Sequence, residues 1–536
     1  MQRTTFLTAT AAMALVGVLP PAAEAQIFKS TLSGGQEIPA VSSTGSGTTV
    51  VALNSTTHEM TIRSIWSGLV SNTAIAHIHC CVVQPGNAGV ATTIPSFPGF
   101  PTGVRAGSYN AAFNMLQAGT WNPAFITANG GTPAGAEAAF IAGMNAGRTY
   151  FNIHTVMFPG GEIRGNLVRF LFADNPGLGV QSAGAAEALD SLGAGTGPVT
   201  NDLLSLAILD PAQLNLALEQ MSPSTSRGLL VATTESMGAV FDQIGDRLDG
   251  LRVPRREGSD RGPYDVWTKI YGGTRRQDDD EGFAGYTGDG WGVALGVDRS
   301  LSPNLIVGAA LSYSKDSLSY DDQRRGSKDD IDGTQISAYA SQEFGAFYLD
   351  YMAAYVSRSV SGTRASVPGF ATADYDGDQF GVRVDGGWPI AVSPGWTVTP
   401  QASLDWSRLE LDDYTETGGG ALGLAVESRS ADALWSSLGA ELEFESIMSG
   451  AMVRPFARAH WLHNFEDDGL DSTAAFVAGG ASFTTLGQPL EDDSFVVGAG
   501  VNLYSGDFFS AGFAYDATLS ETYQSHVLQA RARWVF

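Results

Sequence analysis

The sequence predicts a mainly β protein: an N-terminal antiparallel β-sandwich-like domain, a helical linker, and a C-terminal transmembrane β-barrel of about twelve antiparallel strands. The boundaries fall at residues 26–170, 171–263 and 264–536. Two observations predict the barrel: the C-terminal half alternates apolar and polar residues over long segments, and short turns alternate there with long ones. After the N-terminal segment, no stretch has the run of about 18 apolar residues that predicts a membrane helix.

The alternation has the period of two that a β-strand requires. Between residues 396 and 406 one face is apolar and the other polar, with Trp396, Val398, Ala402, Leu404 and Trp406 opposite Thr397, Thr399, Gln401, Ser403 and Asp405. A soluble sandwich would show the same pattern. We interpret it as a barrel because the segments reach the about 9–11 residues that cross a bilayer, and because aromatic residues lie near their ends.

The connections between these segments alternate in length. Short turns are predicted at residues 301–303, 345, 393–395, 449–450 and 505–506, and long loops at residues 278–287, 318–330, 361–373, 412–427, 466–493 and 520–522. Most acidic clusters lie in the long loops, which face outward in such barrels. Their charge is interpreted as solvated loop charge, with divalent-cation binding as the alternative.

The composition excludes several classes of protein. The net charge of −26, from 30 Lys and Arg against 56 Asp and Glu, excludes nucleic acid as a partner, because phosphates must be neutralised by cationic side chains. The 27 Phe, 16 Tyr and 10 Trp exclude an intrinsically disordered chain, and the 2 Cys exclude a disulfide scaffold.

The first 25 residues are predicted to be a signal peptide. Arg3 supplies the positive end, residues 7–19 form a short apolar run, and a small-x-small cleavage site ends at Ala25, immediately before Gln26. The sequence therefore predicts an exported protein.

Residues 264–536 resemble the autotransporter β-domain, the translocator of type V secretion. The resemblance rests on Val266-Trp267-Thr268-Lys269, on the Gly-Val-Ala-Leu-Gly-Val-Asp run at residues 292–298, and on the C-terminal run at residues 531–536. It implies that Trp534 and Phe536 belong to the signal for membrane insertion by the barrel-assembly machinery. It also implies a location in the outer membrane, in contact with its lipid, with the N-terminal domain at the cell surface or released.

Residues 171–263 are predicted to contain a helical segment that passes through the barrel. Apolar spacing predicts helices over residues 201–220 and from 225 to about 250, and the Gly- and Ala-rich residues 177–197 are predicted to be a linker. In autotransporters a helix before the first strand lies inside the barrel. That resemblance implies that helix residues face charged lumen residues, with Asp242, Asp246, Arg247 and Asp249 opposite Arg454, Arg458 and Arg531. The alternative is a surface helix.

Residues 26–170 resemble the chordin-type (CHRD) domain. Strands are predicted at residues 48–53, 60–66, 74–83, 148–155 and 162–170. The resemblance rests on residues 34–40 (Gly-Gly-Gln-Glu-Ile-Pro-Ala) and on the segments at residues 76–79, 150–155 and 158–165. It implies a fold and no defined chemistry.

The front of the chain contains one candidate metal site. His77 and His79 share a face of one strand, and His154 shares a face of another strand with Tyr150 and Asn152. Zn and Cu sites use this arrangement, and Cu,Zn superoxide dismutase offers an analogy of fold and motif. Candidates for a fourth ligand are Cys81, Glu162 and His58. The alternative is that these histidines are satisfied by hydrogen bonds within the sandwich.

These observations predict an outer-membrane autotransporter whose N-terminal domain is a surface binding or adhesion module for an unidentified extracellular ligand. An enzyme is not expected, because no Ser-His-Asp spacing, carboxylate dyad or phosphate-binding Gly loop stands out. One alternative makes the N-terminal domain a Zn- or Cu-binding protein with a redox role. A third interpretation leaves that domain in the periplasm, with the barrel as an anchor or pore.

Overall fold

The computed structural model describes residues 26–193, 198–224, 226–252, 265–280, 282–366, 369–448, 450–505 and 509–535. The predicted signal peptide with Ala25, and the terminal Phe536, lie outside these residues. The chain divides into two compact units. One contains residues up to 170 together with 193–204, and the other contains residues 171–192 and those from 205 onward.

The front domain (residues 26–170) is built from eight antiparallel strands and two helices. Its elements are β1 (Gln26–Ser33), β2 (Ser46–Asn54), β3 (Glu59–Ser67), β4 (Thr73–Cys80), β5 (Gly107–Asn114), α1 (Pro123–Ala128), α2 (Pro133–Asn145), β6 (Thr149–Thr155), β7 (Ile163–Asn166) and β8 (Val168–Arg169). The strands form one sheet in the order β4-β6-β7-β1-β2-β3-β5, with β8 beside β1. The five predicted strands are present. Sequence reasoning missed β5, in which only Tyr109 is buried, and it missed β1 and both helices.

One continuous sheet gives this domain its sandwich-like core, because the sheet curls until its ends approach each other. The ring centroid of Phe97, in the segment after β4, lies 5.9 Å from that of Tyr109 in β5 and 6.0 Å from that of Phe151 in β6. Phe140 of α2 packs against Trp121 at 5.2 Å, which closes the core from the side. Cys80 and Cys81 are joined by a disulfide next to α2.

Four helices follow the front domain: α3 (Val180–Leu192), α4 (Pro198–Ala207), α5 (Pro211–Met221) and α6 (Gly228–Arg252). None of the described helices combines the length and the apolar character that a bilayer crossing requires. The prediction of a linker over residues 177–197 was wrong for α3, because its alanines favour helix and bury against neighbouring elements. The single helix predicted over residues 201–220 is interrupted, since Pro211 starts a new helix that Asp210 caps by accepting the N–H of Gln213 at 2.9 Å.

The C-terminal part confirms the predicted barrel of twelve strands. Its elements are β9 (Asp265–Gln277), β10 (Tyr286–Ser302), β11 (Leu305–Tyr320), β12 (Lys328–Phe344), β13 (Phe347–Ser366), β14 (Gly369–Gly387), β15 (Ile390–Ser393), β16 (Trp396–Leu411), β17 (Tyr414–Thr415), β18 (Leu424–Val426), β19 (Arg429–Phe444), β20 (Ser446–Met448), β21 (Ala451–Asn464), β22 (Ser472–Phe476), β23 (Gly479–Thr485), β24 (Asp493–Ser505), β25 (Phe509–Leu519) and β26 (Tyr523–Val535). The long strands pair antiparallel in chain order, and pairing of β26 with β9 closes the ring. Strands β17, β18, β22 and β23 form a separate sheet within the long loops.

The outer surface of the barrel is apolar, as the alternation predicts. Five residues paired directly across neighbouring strands expose between 45% and 62% of their surface, namely Leu295, Leu311, Ile336, Tyr355 and Phe380. The next row, one residue along each strand, is buried and includes Ser312, Gln335 and Gln379. Apolar side chains therefore face the lipid, and polar side chains face the lumen.

Helix α6 lies inside the barrel, so the surface-helix alternative is wrong. It contacts strands around the ring, from β9 to β14 and β16. Asp246 pairs with Arg458 at 3.2 Å and with Lys269 at 3.3 Å, and Arg531 donates to the backbone oxygen of Asp246 at 2.7 Å. Arg247 donates to both carboxylate oxygens of Asp298 at 2.8 Å.

Three other predicted lumen contacts differ in detail. Among the described residues, Arg454 pairs with Glu443 of the neighbouring strand β19 and with Glu445, rather than with one of the predicted helix residues. Asp242 pairs with Arg383 at 2.5 Å, and Asp249 pairs with Arg252 of its own helix. Strand register, which sequence alone does not give, decides these partners.

The long loop predicted over residues 361–373 is instead an extension of the hairpin between β13 and β14, up to Ser366 and from Gly369. Its polar residues alternate as in a strand, and cross-strand hydrogen bonds satisfy its backbone. At the other end of the barrel, the backbone of Trp534 pairs with Phe509 and Val266.

Candidate functional site

Two neighbouring strands of the front domain bring the three predicted histidines together. β4 and β6 are antiparallel, with His77 opposite Asn152 and His79 opposite Tyr150. His154 follows Asn152 by two residues and therefore shares its face. The ring centroids of the three histidines lie between 5.4 and 5.9 Å apart, and each histidine is at least nine-tenths buried.

Each histidine has one ring nitrogen held by a backbone carbonyl. His77 Nε2 contacts the oxygen of Pro95 at 2.5 Å, His79 Nδ1 that of Ala88 at 2.9 Å, and His154 Nδ1 that of Pro159 at 2.9 Å. A carbonyl only accepts, so these nitrogens carry the proton and the opposite nitrogens carry a lone pair. Those opposite nitrogens, His77 Nδ1, His79 Nε2 and His154 Nε2, are buried and lack a hydrogen-bond partner.

This arrangement has the form of a metal site. Each histidine offers one ligand nitrogen, and these three atoms all lie within 4.8 Å of one another. Nitrogens bound to one tetrahedral Zn²⁺ lie about 3.3 Å apart, so small ring rotations would complete the coordination. Carbonyl acceptors on the far nitrogens are the usual outer-shell partners of metal-bound histidines. Among the described residues, the acidic loop clusters form no comparable group of ligands.

None of the three predicted fourth ligands is available. Glu162 accepts four hydrogen bonds inside the domain, and His58 pairs with Glu137 at 2.9 Å. Cys81 is bonded to Cys80. The expectation of a fourth ligand from these residues was therefore wrong, because each already has a structural partner.

Four polar or aromatic residues lie around the histidines, and sequence reasoning missed two of them, Arg164 and Glu37, as part of the site. The Tyr150 ring stacks on His79 at 4.7 Å, and the Arg164 guanidinium lies over the other side of Tyr150, 4.4 Å from its centroid. Asn152 hydrogen-bonds to Glu37, whose carboxylate is also near Arg164. The shared strand face placed Tyr150 and Asn152 beside His154 from the sequence alone. Glu37 lies in a distant loop, and the sequence indicated it only as a member of the motif at residues 34–40.

Burial controls the charge of the site. It lowers the pKa of His77 and His79 to about 4, and it also lowers the pKa of His154. Repulsion between the imidazoles adds to this effect in His77 and His79. At neutral pH all three histidines are therefore uncharged, which is the form that binds a metal. Burial raises the pKa of Glu37 to about 7, although Arg164 and Asn152 oppose the shift.

We expect the metal-free front domain to lose stability as the pH falls from 7 to 5. A histidine whose pKa is lowered by folding takes up a proton on unfolding, so its stabilising effect is lost below the ordinary value of about 6.5. Glu37 acts in the opposite sense, because its raised pKa favours the folded state in acid. Because three histidines take up protons on unfolding and one carboxyl releases one, unfolding takes up about two protons in all. The free energy of unfolding should therefore fall by at most about 2.7 kcal/mol for each pH unit.

Thermal proteolysis of the detergent-extracted, chelator-treated chain measures this dependence, with the barrel as internal reference. A His79→Gln variant should show a weaker dependence on pH. A front domain that melts at the same temperature at pH 5 and pH 7 would contradict the expectation.

Family models match both parts of the chain. Residues 266–516 match the autotransporter β-domain, and residues 28–167 match the CHRD domain.

Curated relatives and solved structures each match somewhat more than half of the chain. Outer membrane protein B of Rickettsia prowazekii (strain Madrid E) is 24% identical over 344 residues, covering 59% of this chain and 21% of the relative. An extracellular serine protease of Serratia marcescens is 23% identical over 340 residues, covering 62% and 32%. The translocator domain of autotransporter NalP from Neisseria meningitidis is 18% identical with a TM-score of 0.44, covering 56% and 98%. The chain thus spans about a fifth to a third of the length of the two curated relatives.

Proposed function

The chain belongs to the outer-membrane autotransporters, with a CHRD domain ahead of the autotransporter β-domain, and we propose that it displays this CHRD domain at the cell surface as a metal-binding module. Zn²⁺ or Cu²⁺ would be held by His77, His79 and His154. One observation carries the proposal: three buried ring nitrogens converge without a hydrogen-bond partner.

The energetic argument starts from those nitrogens. A buried polar atom without a partner costs about 1–3 kcal/mol, and here three such atoms lie in one cluster. Each histidine has its other nitrogen fixed by a carbonyl, so the rings are oriented before a metal arrives. Both features favour metal binding over the alternative of histidines satisfied within the sandwich.

Metal analysis of the full chain, purified in detergent, tests the proposal. We expect about one Zn²⁺ or Cu²⁺ per chain, and loss of that metal on His79→Ala or His154→Ala. The matched control is His58→Ala, which removes a half-exposed histidine of the same domain outside the cluster. Metal content unchanged by His154→Ala would reject the site. In that case the adhesion function would be the better proposal.

Display at the surface has its own test. We expect protease added to intact cells to remove the front domain while leaving the barrel, because membership of the autotransporters implies an N-terminal domain at the cell surface. Lysed cells serve as the control for intrinsic cleavage. A front domain that is cut only after lysis would favour the periplasmic interpretation.

The remaining partners follow from the family. We propose that the barrel-assembly machinery inserts the barrel and that the C-terminal residues Trp534 and Phe536 are part of the recognised signal. We assign no catalytic reaction to the front domain. A redox role would require Cu rather than Zn in the site, which the same metal analysis distinguishes.

A further inference from the structure

We propose that the metal bound by His77, His79 and His154 keeps one coordination position for an exchangeable water or small monoanion, and that Asn152 lines this position. The inference rests on the proposed metal-binding function and deepens it: the site would bind a ligand through its metal, rather than serve only to hold the fold together.

The first step is the number of protein ligands. The metal-binding group found in the described part of the chain contains three histidines and no further His, Cys, Asp or Glu. Zn²⁺ in proteins takes at least four ligands, and three-ligand sites complete the set with water or substrate. Glu162, His58 and Cys81 are engaged elsewhere. The fourth ligand must therefore come from outside these side chains.

The second step is the position of Asn152. It faces His77 across the β4–β6 pair and precedes His154 by two residues on the same face. Its side chain is hydrogen-bonded to Glu37, which fixes the amide, and only 2% of its surface is exposed. Its Oδ1 is nevertheless buried without a partner.

The third step is the packing around that oxygen. Gly161 has a φ of +126°, and a Cβ at this position would lie 2.5 Å from both Asn152 Oδ1 and Glu37 Oε1 and 2.7 Å from Asn152 Nδ2. The glycine therefore lets the loop backbone approach these two side chains closely, and their oxygens face the same point. Glu37 Oε1, like Asn152 Oδ1, has no hydrogen-bond partner.

The chemistry of these atoms matches a metal-bound water. Such a water has two O–H groups to donate, and Asn152 Oδ1 and the ionised carboxylate of Glu37 can accept them. A monoanion such as azide can replace the water because it binds the metal directly. The nearby Arg164 partly offsets the negative charge of Glu37.

Azide titration of the Co²⁺-loaded full chain in detergent tests the inference. Four- and five-coordinate Co²⁺ absorbs strongly in the visible range, and we expect azide to shift this spectrum with saturation at one azide per metal. Asn152→Asp places a carboxylate beside the position and should weaken azide binding at least about tenfold by charge repulsion. Asn145→Asp adds the same charge at the exposed end of α2 and should leave azide binding unchanged.

The outcomes separate this inference from the proposed function. Absence of Co²⁺ from the three histidines would reject the metal site itself. A Co²⁺ spectrum that azide does not change would reject the exchangeable position while leaving the metal site. Equal azide affinity in Asn152→Asp and the unmodified chain would show that the position does not face Asn152. If Asn152→Asp does not fold, Glu37→Gln tests the same position by removing a negative charge instead of adding one. Losing the carboxylate should strengthen azide binding.

Discussion

Replacing Glu162 with Ala is expected to unfold the front domain under conditions in which the unmodified domain is folded. Glu162 is fully buried, and its carboxylate accepts hydrogen bonds from the side chains of Ser43 and Thr155, both at 2.7 Å. It also accepts the backbone N–H groups of Val70 at 2.6 Å and Ser71 at 3.2 Å. A hydrogen bond to a charged group contributes about 1.5–3 kcal/mol, so losing all four should cost about 5 kcal/mol or more.

The effect is large because the donors cannot all find new partners. The two hydroxyl groups can rotate, but the two backbone N–H groups are fixed by the chain and would remain buried. Whole domains are stable by only about 5–15 kcal/mol, so this loss is comparable with the total. Glu162→Gln should cause an intermediate loss of stability. Its amide keeps one accepting oxygen for two of the donors, but its NH₂ group faces the other two donors and cannot accept from them.

Thermal proteolysis of the full chain measures the melting of the front domain, and heat-modifiable gel migration confirms that the barrel is folded. Glu59→Ala is the matched control, because Glu59 is a partly exposed carboxylate of the same sheet. A Glu162→Ala domain that melts normally but has lost its metal would contradict this expectation. Glu162 would then again be a candidate for the fourth metal ligand.

The barrel could be predicted from the sequence because its signals are local. The sequence shows the period of two, the strand lengths and the turn lengths without any knowledge of which strands pair. The residues around Trp396 are an example. Closure through β26 and β9 adds no new requirement on the sequence. Partners inside the lumen are different. The sequence placed Asp246 opposite a group of arginines that includes its partner Arg458, but Arg454 of the same group pairs with Glu443, because its partner depends on the register of β19 and β21.

The candidate metal site also has a part that the sequence could predict and a part that it could not. His77, His79 and His154 could be grouped from strand periodicity, since each strand shows its face in the sequence. The carbonyls of Pro95, Ala88 and Pro159 come from loops whose paths no period encodes. These loop contacts decide which nitrogens are free, and so the ligand geometry was visible only in the folded chain.

Replacing Arg227 with Ala is expected to loosen the closure of the barrel at the end where α6 begins. Only 4% of the Arg227 side chain is exposed, and it donates to Gln277 at 3.0 Å and to the backbone oxygen of Pro489 at 3.1 Å. It also donates to Glu491 at 2.7 Å and to Thr522 at 2.9 Å.

These partners lie at the end of β9, in the connection from β23 to β24 and in the connection from β25 to β26, so one guanidinium joins three parts of the chain. Asp280, in the connection between β9 and β10, is a further carboxylate at 3.4 Å. Without Arg227, the carboxylates of Asp280 and Glu491 lose the charge between them and repel each other. Asp280 and Glu491 are partly exposed, so losing Arg227 should cost about 1.5–3 kcal/mol, the contribution of a hydrogen bond to a charged group. This is more than the about 1.4 kcal/mol that changes a population tenfold.

Single-channel recording in planar bilayers measures the consequence. We expect opening events at least about tenfold more frequent for Arg227→Ala than for the unmodified chain, because α6 and the loops no longer hold each other in place. Arg276→Ala is the control, since Arg276 is 61% exposed and pairs with an exposed aspartate. Heat-modifiable migration must first show that the Arg227→Ala barrel is assembled. A folded variant with unchanged opening frequency would mean that α6 alone keeps the lumen closed and that the loop contacts of Arg227 do not contribute.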